Sequence, residues 1–224
     1  MQEQEDPYNG TRKTYREDGT LMAAVSYKDS IRDGVARNYF RNGVIQLEMT
    51  YVKGLRHGNA ISYYENGNVY QVTPYVDGKR QGIQRKYYEG HVLMAEIPFE
   101  DNRQVKGIKE YSKSGNMITR EAKIVFSLVD KTAFEDSFEL NIQLSDGSRN
   151  VKFSRYFPDS NSEVELNYPI STIDGKATLT FIVPPGRSWM ERIYIEGERK
   201  TRLGNMEVFK ASYNLAVENT KRFY

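Results

Sequence analysis

Histidine and cysteine are the side chains that most often attack or transfer protons near neutral pH, and this chain has few of them. It contains two histidines, His57 and His91, and no cysteine. The sequence therefore excludes thiolate nucleophiles, disulfides and cysteine-ligated metals. Two isolated histidines do not complete a zinc site without carboxylate help. We interpret both as turn residues and predict that the protein is not an enzyme, with no catalytic residue, metal site or cofactor.

Acidic pairs are the other source of acid–base chemistry. Glu135-Asp136 are adjacent, and Glu163 and Glu165 would share one face of a strand. Like charges are common on solvent-exposed sheet faces, and a glycosidase pair would also need a concave site. The turn at Asp146-Gly147 has too few oxygen ligands for calcium. We therefore expect none of these groups to be catalytic or to bind a metal.

Composition limits the class of partner. The 224 residues include 32 basic and 30 acidic side chains, for a net charge of +2. A general nucleic-acid binder would carry a basic surface of one sign, so we predict no nucleic-acid partner. The polar start shows no signal peptide as written, and no stretch is long enough for a transmembrane helix. A leader removed from the mature chain is an open alternative.

The first half of the chain contains a sequence repeat, and most of the residues that could form a binding site belong to it. Its clearest marks are glycines spaced by 24 residues, at Gly10, Gly34, Gly58 and Gly82. Each unit predicts a short strand, a turn such as Asn42-Gly43, and a longer strand with apolar residues at every second position. Asn-Gly and Asp-Gly sequences favour type I′ turns. We therefore predict an antiparallel meander of β-hairpins, with irregular units at Ser30, His91 and Asn102.

This pattern resembles the MORN-repeat variant family, whose bacterial members are often labelled YwqK-like antitoxins. In the second unit the resemblance is carried by Gly34, Tyr39, Phe40, Asn42, Gly43, Tyr51, Gly54 and Gly58. It covers about residues 8–120, roughly half of the chain. It implies a β-hairpin array that serves as an interaction or membrane-associated module.

The second half keeps the strand-like alternation but loses the 24-residue period. Turn sequences such as Asp146-Gly147, Asp174-Gly175 and Pro184-Pro185-Gly186 separate about seven predicted strands, the fourth of which begins near Val164. This number of strands in about a hundred residues is typical of an immunoglobulin-like or fibronectin-like β-sandwich. The predicted fold class is all-β, with a MORN-like hairpin array at 8–120 and a β-sandwich at 121–224.

Aromatic side chains are the strongest candidates for a binding surface. Equivalent residues of successive units should stack across strands. This predicts one column of Tyr15, Tyr39, Tyr63 and Tyr87, and a second column of Tyr27, Tyr51, Tyr75 and Phe99. The columns are either the core of the array or a docking surface, because exposed tyrosine and arginine are enriched at interaction hot spots.

Arginines would surround an aromatic docking surface, and we expect Arg37, Arg41, Arg56, Arg80 and Arg85 in that role. Trp189 is either part of the sandwich core or a ring that stacks on a sugar. The predicted binding residues are Tyr39, Phe40, Tyr63, Tyr64, Tyr87, Tyr88, Arg37, Arg85 and Trp189.

These observations predict a non-catalytic binding or scaffold protein with a protein partner. We expect an exported or cell-envelope bacterial protein, periplasmic, outer-membrane-associated or secreted, with a cytoplasmic location as the alternative. Two other functions stay open: an antitoxin or immunity protein that binds a cognate toxin, and a module that binds a lipid headgroup at a membrane surface or a glycan. The sequence does not predict the oligomeric state, although an exposed edge strand from residue 8 could pair with another copy.

Overall fold

The computed structural model describes residues 8–118, 122–158 and 166–221. The chain divides into two compact units, Met1–Thr119 and Arg120–Tyr224. The described residues form strands and turns, as predicted for an all-β protein. Within them, no helix has the length and apolar character that a membrane crossing requires. The predicted strand residue Val164 and the pair Glu163 and Glu165 lie outside the described residues.

The first unit is one antiparallel sheet in which β1 to β6 are neighbours in chain order, as a meander requires, and β7 and β8 both pair with β6. Glycine and aspartate turns keep the connections short, so pairing stays local. The last two short strands, β10 and β11, both pair with β9. The strands are β1 (Gly10–Tyr15), β2 (Leu21–Lys28), β3 (Ile31–Tyr39), β4 (Ile45–Val52), β5 (Leu55–Tyr63), β6 (Val69–Val76), β7 (Lys79–Arg80), β8 (Gly82–Tyr87), β9 (Leu93–Glu100), β10 (Arg103–Gln104) and β11 (Lys109–Glu110).

The type I′ prediction for the Asp-Gly and Asn-Gly turns within each unit was wrong. At Asn42-Gly43 only the glycine has a positive φ, 83°, and Phe40 N–H donates to the Val44 carbonyl over 2.8 Å. This is a longer loop that ends in a left-handed residue. Asn42 Oδ1 instead accepts from Val44 N–H over 3.0 Å, so the asparagine stabilises the loop through its side chain.

Two-residue turns in which both residues have positive φ occur between successive repeats instead. Lys53 and Gly54 have φ of 48° and 84°, and Asp77 and Gly78 have 48° and 84°. The irregular positions Ser30, Asn102 and His91 also take positive φ, so each keeps the turn that glycine makes in other units. The units with these substitutions are therefore continuous with the rest of the sheet.

Backbone hydrogen bonds join the start of each 24-residue repeat to the turn that follows that repeat. The second turn residue donates its N–H to the carbonyl 22 residues earlier: Ser30 to Tyr8, Gly54 to Arg32, Gly78 to Arg56 and Asn102 to Arg80, over 2.8 to 3.1 Å. Because the same bond recurs in every unit, the turn ends of neighbouring hairpins are held in register.

The first unit has a small apolar core. Ala95, Ile97 and Phe99 are buried side by side on β9, and Ile108 packs against them. Further along the sheet Thr73 and Gln84 are buried polar residues that bond with the half-buried Gln71. Gln71 Nε2 donates to Thr73 Oγ1, Thr73 Oγ1 donates to Gln84 Oε1, and Gln84 Nε2 donates to Gln71 Oε1, over 3.0 to 3.3 Å. A closed ring of hydrogen bonds therefore satisfies these side chains away from water.

The second unit consists of two four-stranded antiparallel sheets. One has the order β12-β13-β17-β16 and the other β15-β14-β18-β19. The strands are β12 (Ile124–Asp130), β13 (Ser137–Leu144), β14 (Val151–Phe157), β15 (Leu166–Ile170), β16 (Thr172–Ile173), β17 (Lys176–Ile182), β18 (Ser188–Lys200) and β19 (Met206–Glu218).

The core of the second unit draws on both sheets. Leu140 and Ile142 from β13, Phe153 from β14, and Ile193 and Ile195 from β18 are almost fully buried in one cluster. Since every second residue of each strand belongs to it, the strand alternation in the sequence follows from burial of one face of each sheet.

Candidate functional site: an arginine and tyrosine ladder

Arginines and aromatic rings alternate across one face of the first unit. Tyr51 on β4 is opposite Arg56 on β5, and Tyr75 on β6 is opposite Arg80 on β7. Residues directly opposite in antiparallel strands point to the same side of the sheet. We call this side the ladder face. It carries Tyr27, Arg32, Tyr51, Arg56, Tyr75, Arg80 and Phe99, with Arg12 at the β1 end.

Each arginine lies against an aromatic ring of the hairpin that it begins. The guanidinium carbons of Arg32, Arg56 and Arg80 are 5.5, 5.3 and 4.2 Å from the ring centres of Tyr51, Tyr75 and Phe99. Arg12 lies 5.2 and 5.6 Å from the rings of Tyr8 and Tyr27. These distances are within the range of cation–π attraction.

Tyrosine hydroxyls add hydrogen bonds to the stacking. Arg56 Nη1 donates to the Tyr75 hydroxyl over 3.3 Å, and Arg32 Nη1 is 3.5 Å from the Tyr51 hydroxyl. A hydrogen bond with Tyr51 raises the pKa of Arg56, and burial opposes that shift. Each guanidinium is therefore held as a cation between rings of neighbouring units.

The glycines that begin the repeats lie opposite rings of the ladder face. Gly34 lies opposite Tyr51 and Gly58 opposite Tyr75, and each lies where the register with the preceding strand shifts. Their φ values are 95° and 75°, a region that other residues rarely adopt. The 24-residue spacing of these glycines therefore marks the rungs of the ladder.

The opposite side of the sheet carries paired charges, and we call it the ion-pair face. Glu48 lies three residues before Tyr51 on a regular strand, so it points away from the ladder face. Arg37 Nε donates to Glu48 Oε2 over 2.6 Å, and Arg85 Nε donates to Glu96 Oε1 over 3.2 Å. By contrast, none of Arg12, Arg32, Arg56 and Arg80 forms an ion pair with a carboxylate among the described residues. The two faces therefore differ in uncompensated charge.

The structure divides the arginines that were expected to surround one surface. Arg37 and Arg85 lie on the ion-pair face, Arg56 and Arg80 lie on the ladder face, and Arg41 lies in a hairpin loop. Grouping them was wrong because strand alternation turns Glu48, and with it Arg37, away from Tyr51.

Five of the predicted binding residues share the ion-pair face. Tyr39 and Tyr87 come two residues after Arg37 and Arg85, and Tyr63 occupies the same position in its unit. Burial raises the pKa of Tyr63, and nearby Glu48 raises it further. These rings therefore pack beside ion pairs that already satisfy Arg37 and Arg85.

Phe40, Tyr64 and Tyr88 lie at the loop end of the array. The Tyr64 hydroxyl donates to the Tyr87 carbonyl over 2.7 Å, and the Tyr88 hydroxyl donates to the Tyr111 carbonyl over 2.9 Å. Phe40 has no hydroxyl for this bond. Tyr64 and Tyr88 therefore connect one repeat to the next, so their position is explained by the array's own stability.

Trp189 lies at the rim of the second unit. Its ring centre is 6.5 Å from that of Phe181, and its Nε1 is 3.4 Å from Glu191 Oε2. The residue is 46% exposed. One side of the ring therefore packs on the core while the other faces solvent.

The prediction that both histidines are turn residues was wrong for His57, which lies in β5 because pairing with β4 already begins at Leu55. Its Nδ1 is 3.9 Å from Asp77 Oδ1 in the next turn. Asp33, the equivalent residue of the preceding repeat, accepts the N–H of Lys53 over 3.1 Å. His91 has a φ of 64° at the loop position that glycine fills in other units. No group of three His, Asp or Glu side chains that could hold a metal occurs in the described part of the chain.

The sequence reasoning missed Arg12 and Arg32. Arg32, Arg56 and Arg80 are themselves spaced by 24 residues, so this period was visible beside the glycine period. A hollow of about 190 Å³ lies next to Arg32, lined by Val25, Ala36, Leu47, Met49 and Tyr51 with Asn38. The second repeat therefore combines a cation with an apolar surface.

Comparison with protein families supports the repeat but covers less of the chain than expected. Residues 8–29, 32–53 and 56–77 match the family described as MORN repeat variant. The match concerns the repeat and does not carry an antitoxin assignment. No curated protein matches the chain. MORN repeats are generally binding or scaffold modules and are typically non-enzymatic. Residues 8–77 are therefore three tandem repeats of the MORN variant type, and the hairpins after them continue the same sheet.

Proposed function

We propose that this protein is a non-catalytic binding or scaffold protein that uses the ladder face of its repeat array as an interaction surface. The observation that carries the proposal is the row of arginines on that face without carboxylate partners among the described residues. An array that only needed internal stability would gain from pairing these charges, as it does on the ion-pair face. Exposed arginine and tyrosine are also the residues most enriched at interaction hot spots.

The positions of the histidines support the non-catalytic part. His57 lies in β5 with its Nδ1 3.9 Å from Asp77, and His91 occupies a hairpin loop, whereas a catalytic base must reach a substrate proton. Loss of a measured activity in His57→Ala or His91→Ala, with folding intact, would contradict this part of the proposal.

A photo-crosslinking experiment tests the interaction surface. A photoreactive side chain placed at exposed Asn38, which pairs with Leu47 on the ladder face, should capture the partner. The same group at exposed Ile173 in the second unit is the matched control and should not. Crosslinking from Ile173 alone would show that the array is not the interaction surface.

We also propose an immunoglobulin-like topology for the second unit. Its sheet orders β12-β13-β17-β16 and β15-β14-β18-β19 correspond to strands A-B-E-D and C′-C-F-G of that fold. An experimental structure in which β13 and β17 are not neighbours would contradict this assignment.

An exported or cell-envelope location is a separate proposal. Its support is the pair of all-β units, and a chain without cysteine is compatible with an oxidising compartment as well as with a reducing one. Fractionation of the source cells tests it, because recovery of the protein only in the cytosol would exclude it.

A further inference from the structure

Three of the ladder arginines form a regular line of positive charge. Arg32, Arg56 and Arg80 lie on β3, β5 and β7, each two strands from the next and each opposite the ring of the preceding strand. Arg12 on β1 lies opposite Val25, two residues along the strand from that line. Neighbouring strands are about 4.8 Å apart, so successive guanidinium groups are about 10 Å apart. Stacking on the rings fixes each planar group while leaving N–H donors at its edge.

We propose that this line binds an acidic polypeptide segment that runs across the strands of the ladder face. The proposal rests on the proposed function and names the chemistry of its partner. Carboxylates are the natural partners of guanidinium forks, and on the ion-pair face Glu48 and Glu96 already fill that role for Arg37 and Arg85. On the ladder face an incoming chain supplies the missing carboxylates.

The spacing sets a requirement on the partner. A chain in the polyproline II conformation has three residues per turn and advances about 3.1 Å per residue, so acidic side chains at every third residue lie on one side, about 9 Å apart, and meet successive arginines. The hollow beside Arg32, lined by Val25, Leu47 and Met49, accepts an apolar side chain between two such contacts. The predicted segment is therefore acidic with interspersed apolar residues.

The distribution of apolar residues favours a polypeptide over a membrane surface. A membrane-binding face combines cations with exposed apolar side chains. Here the two are separated, because Ile31, Val52, Leu55, Val76 and Ile83 are exposed on the ion-pair face, as alternation from the ladder residues requires. On the ladder face Tyr51 and Phe99 are 8% and 7% exposed. The cations therefore lie against a packed surface with few apolar groups to insert.

Binding of synthetic peptides to the intact chain tests the inference. The probe is a labelled 12-residue peptide with Glu at every third position, compared with its Gln counterpart and with a peptide of equal charge whose Glu residues are clustered. Fluorescence anisotropy should show binding of the spaced Glu peptide, weakened by salt. Arg32→Gln and Arg56→Gln should each weaken it about fivefold. Arg41→Gln, in an exposed hairpin loop, is the control and should leave it unchanged.

Arg56→Lys separates binding from folding. It keeps the charge and loses the planar fork, so it should weaken binding less than Arg56→Gln while circular dichroism stays that of the parent. The inference is overturned if the Glu and Gln peptides bind alike, if Arg41→Gln weakens binding as much as Arg56→Gln, or if phosphatidylserine vesicles bind where the peptides do not. If Asn38 crosslinks a partner whose capture survives both Arg→Gln changes, the proposed function stands and this inference fails.

Discussion

Arg56 stacks on Tyr75 of its own repeat and lies opposite Tyr51 of the preceding repeat, so it joins two repeats of the array. Its guanidinium carbon lies 5.3 Å from the Tyr75 ring centre and its Nη1 donates to the Tyr75 hydroxyl over 3.3 Å, while Tyr51 of the preceding unit lies directly opposite in the sheet. Because one side chain contacts rings on both sides, the ladder contributes to stability as well as to the candidate surface.

Truncation of a ladder ring should destabilise the array. Tyr51→Ala removes a ring that is 8% exposed and should lower the free energy of unfolding by about 3 kcal/mol. Tyr15→Ala is the matched control, because that ring is 56% exposed, and it should cost less than about 0.5 kcal/mol. Chemical denaturation followed by circular dichroism measures both.

The single tryptophan adds an internal reference for that experiment. Trp189 lies in the second unit, so its fluorescence follows unfolding there. We expect its transition to be the same in Tyr51→Ala and the parent. Equal losses for Tyr51→Ala and Tyr15→Ala would contradict a packed ladder.

Phe40, in the second repeat, lacks the hydroxyl that Tyr64 and Tyr88 have at the equivalent position, and a substitution can introduce it. Phe40→Tyr should allow a bond to the Tyr63 carbonyl like the one from Tyr64 to the Tyr87 carbonyl, and should stabilise the array by about 1 kcal/mol. The reverse change, Tyr64→Phe, should cost about the same. Denaturation midpoints measure both changes. Destabilisation by Phe40→Tyr would show that the second repeat does not place a hydroxyl near the Tyr63 carbonyl.

His91→Gly tests whether this histidine is only a turn residue. A left-handed conformation costs a non-glycine residue about 1 kcal/mol or more, and glycine removes that cost at some expense in unfolded-state entropy. We therefore expect a gain of about 0.5 kcal/mol in thermal or chemical denaturation, with peptide and partner binding unchanged. A marked loss of stability would indicate contacts of the imidazole beyond the turn.

Acidification should remove one contribution to the stability of the second unit, the interaction of ionised Asp146 with Arg199. Although burial opposes it, hydrogen bonds from Arg199 and Ser148 hold the pKa of Asp146 below its ordinary value of 3.8. The ionised form is therefore favoured in the folded state, so the contribution is present above about pH 4 and is lost as the pH falls through the lowered pKa. Arg199 is almost fully buried and also pairs with Glu207 over 2.8 Å.

Asp146→Asn removes this contribution. At pH 6 it should cost about 1 to 2 kcal/mol, with the partial exposure of Asp146 limiting the value. The difference from the parent should shrink below about pH 4, as measured by Trp189 fluorescence during denaturation at several pH values. A difference that is constant down to pH 2 would show that the charge of Asp146 is not involved.

The hairpin array is visible in the sequence because its contacts are short in range. Each strand pairs with the next one along the chain, so the spacing of Gly34, Tyr51 and Gly58 is enough to indicate the meander. The turn types were not visible, because Asn42-Gly43 suits more than one loop and the choice depends on the register that the neighbouring units impose.

The amino-acid sequence alone determined the all-β class, the 24-residue period and the alternation within strands, since these follow from local turn chemistry and from a side-chain period of two. The tertiary structure decided which arginines meet which rings, because the register of each strand pair determines that Arg56 lies opposite Tyr51. It also decided the sheet orders of the second unit and the contact of Arg199 with Asp146, which join residues far apart in the chain. Such pairings depend on the packing of the whole unit around its core, which no local pattern encodes.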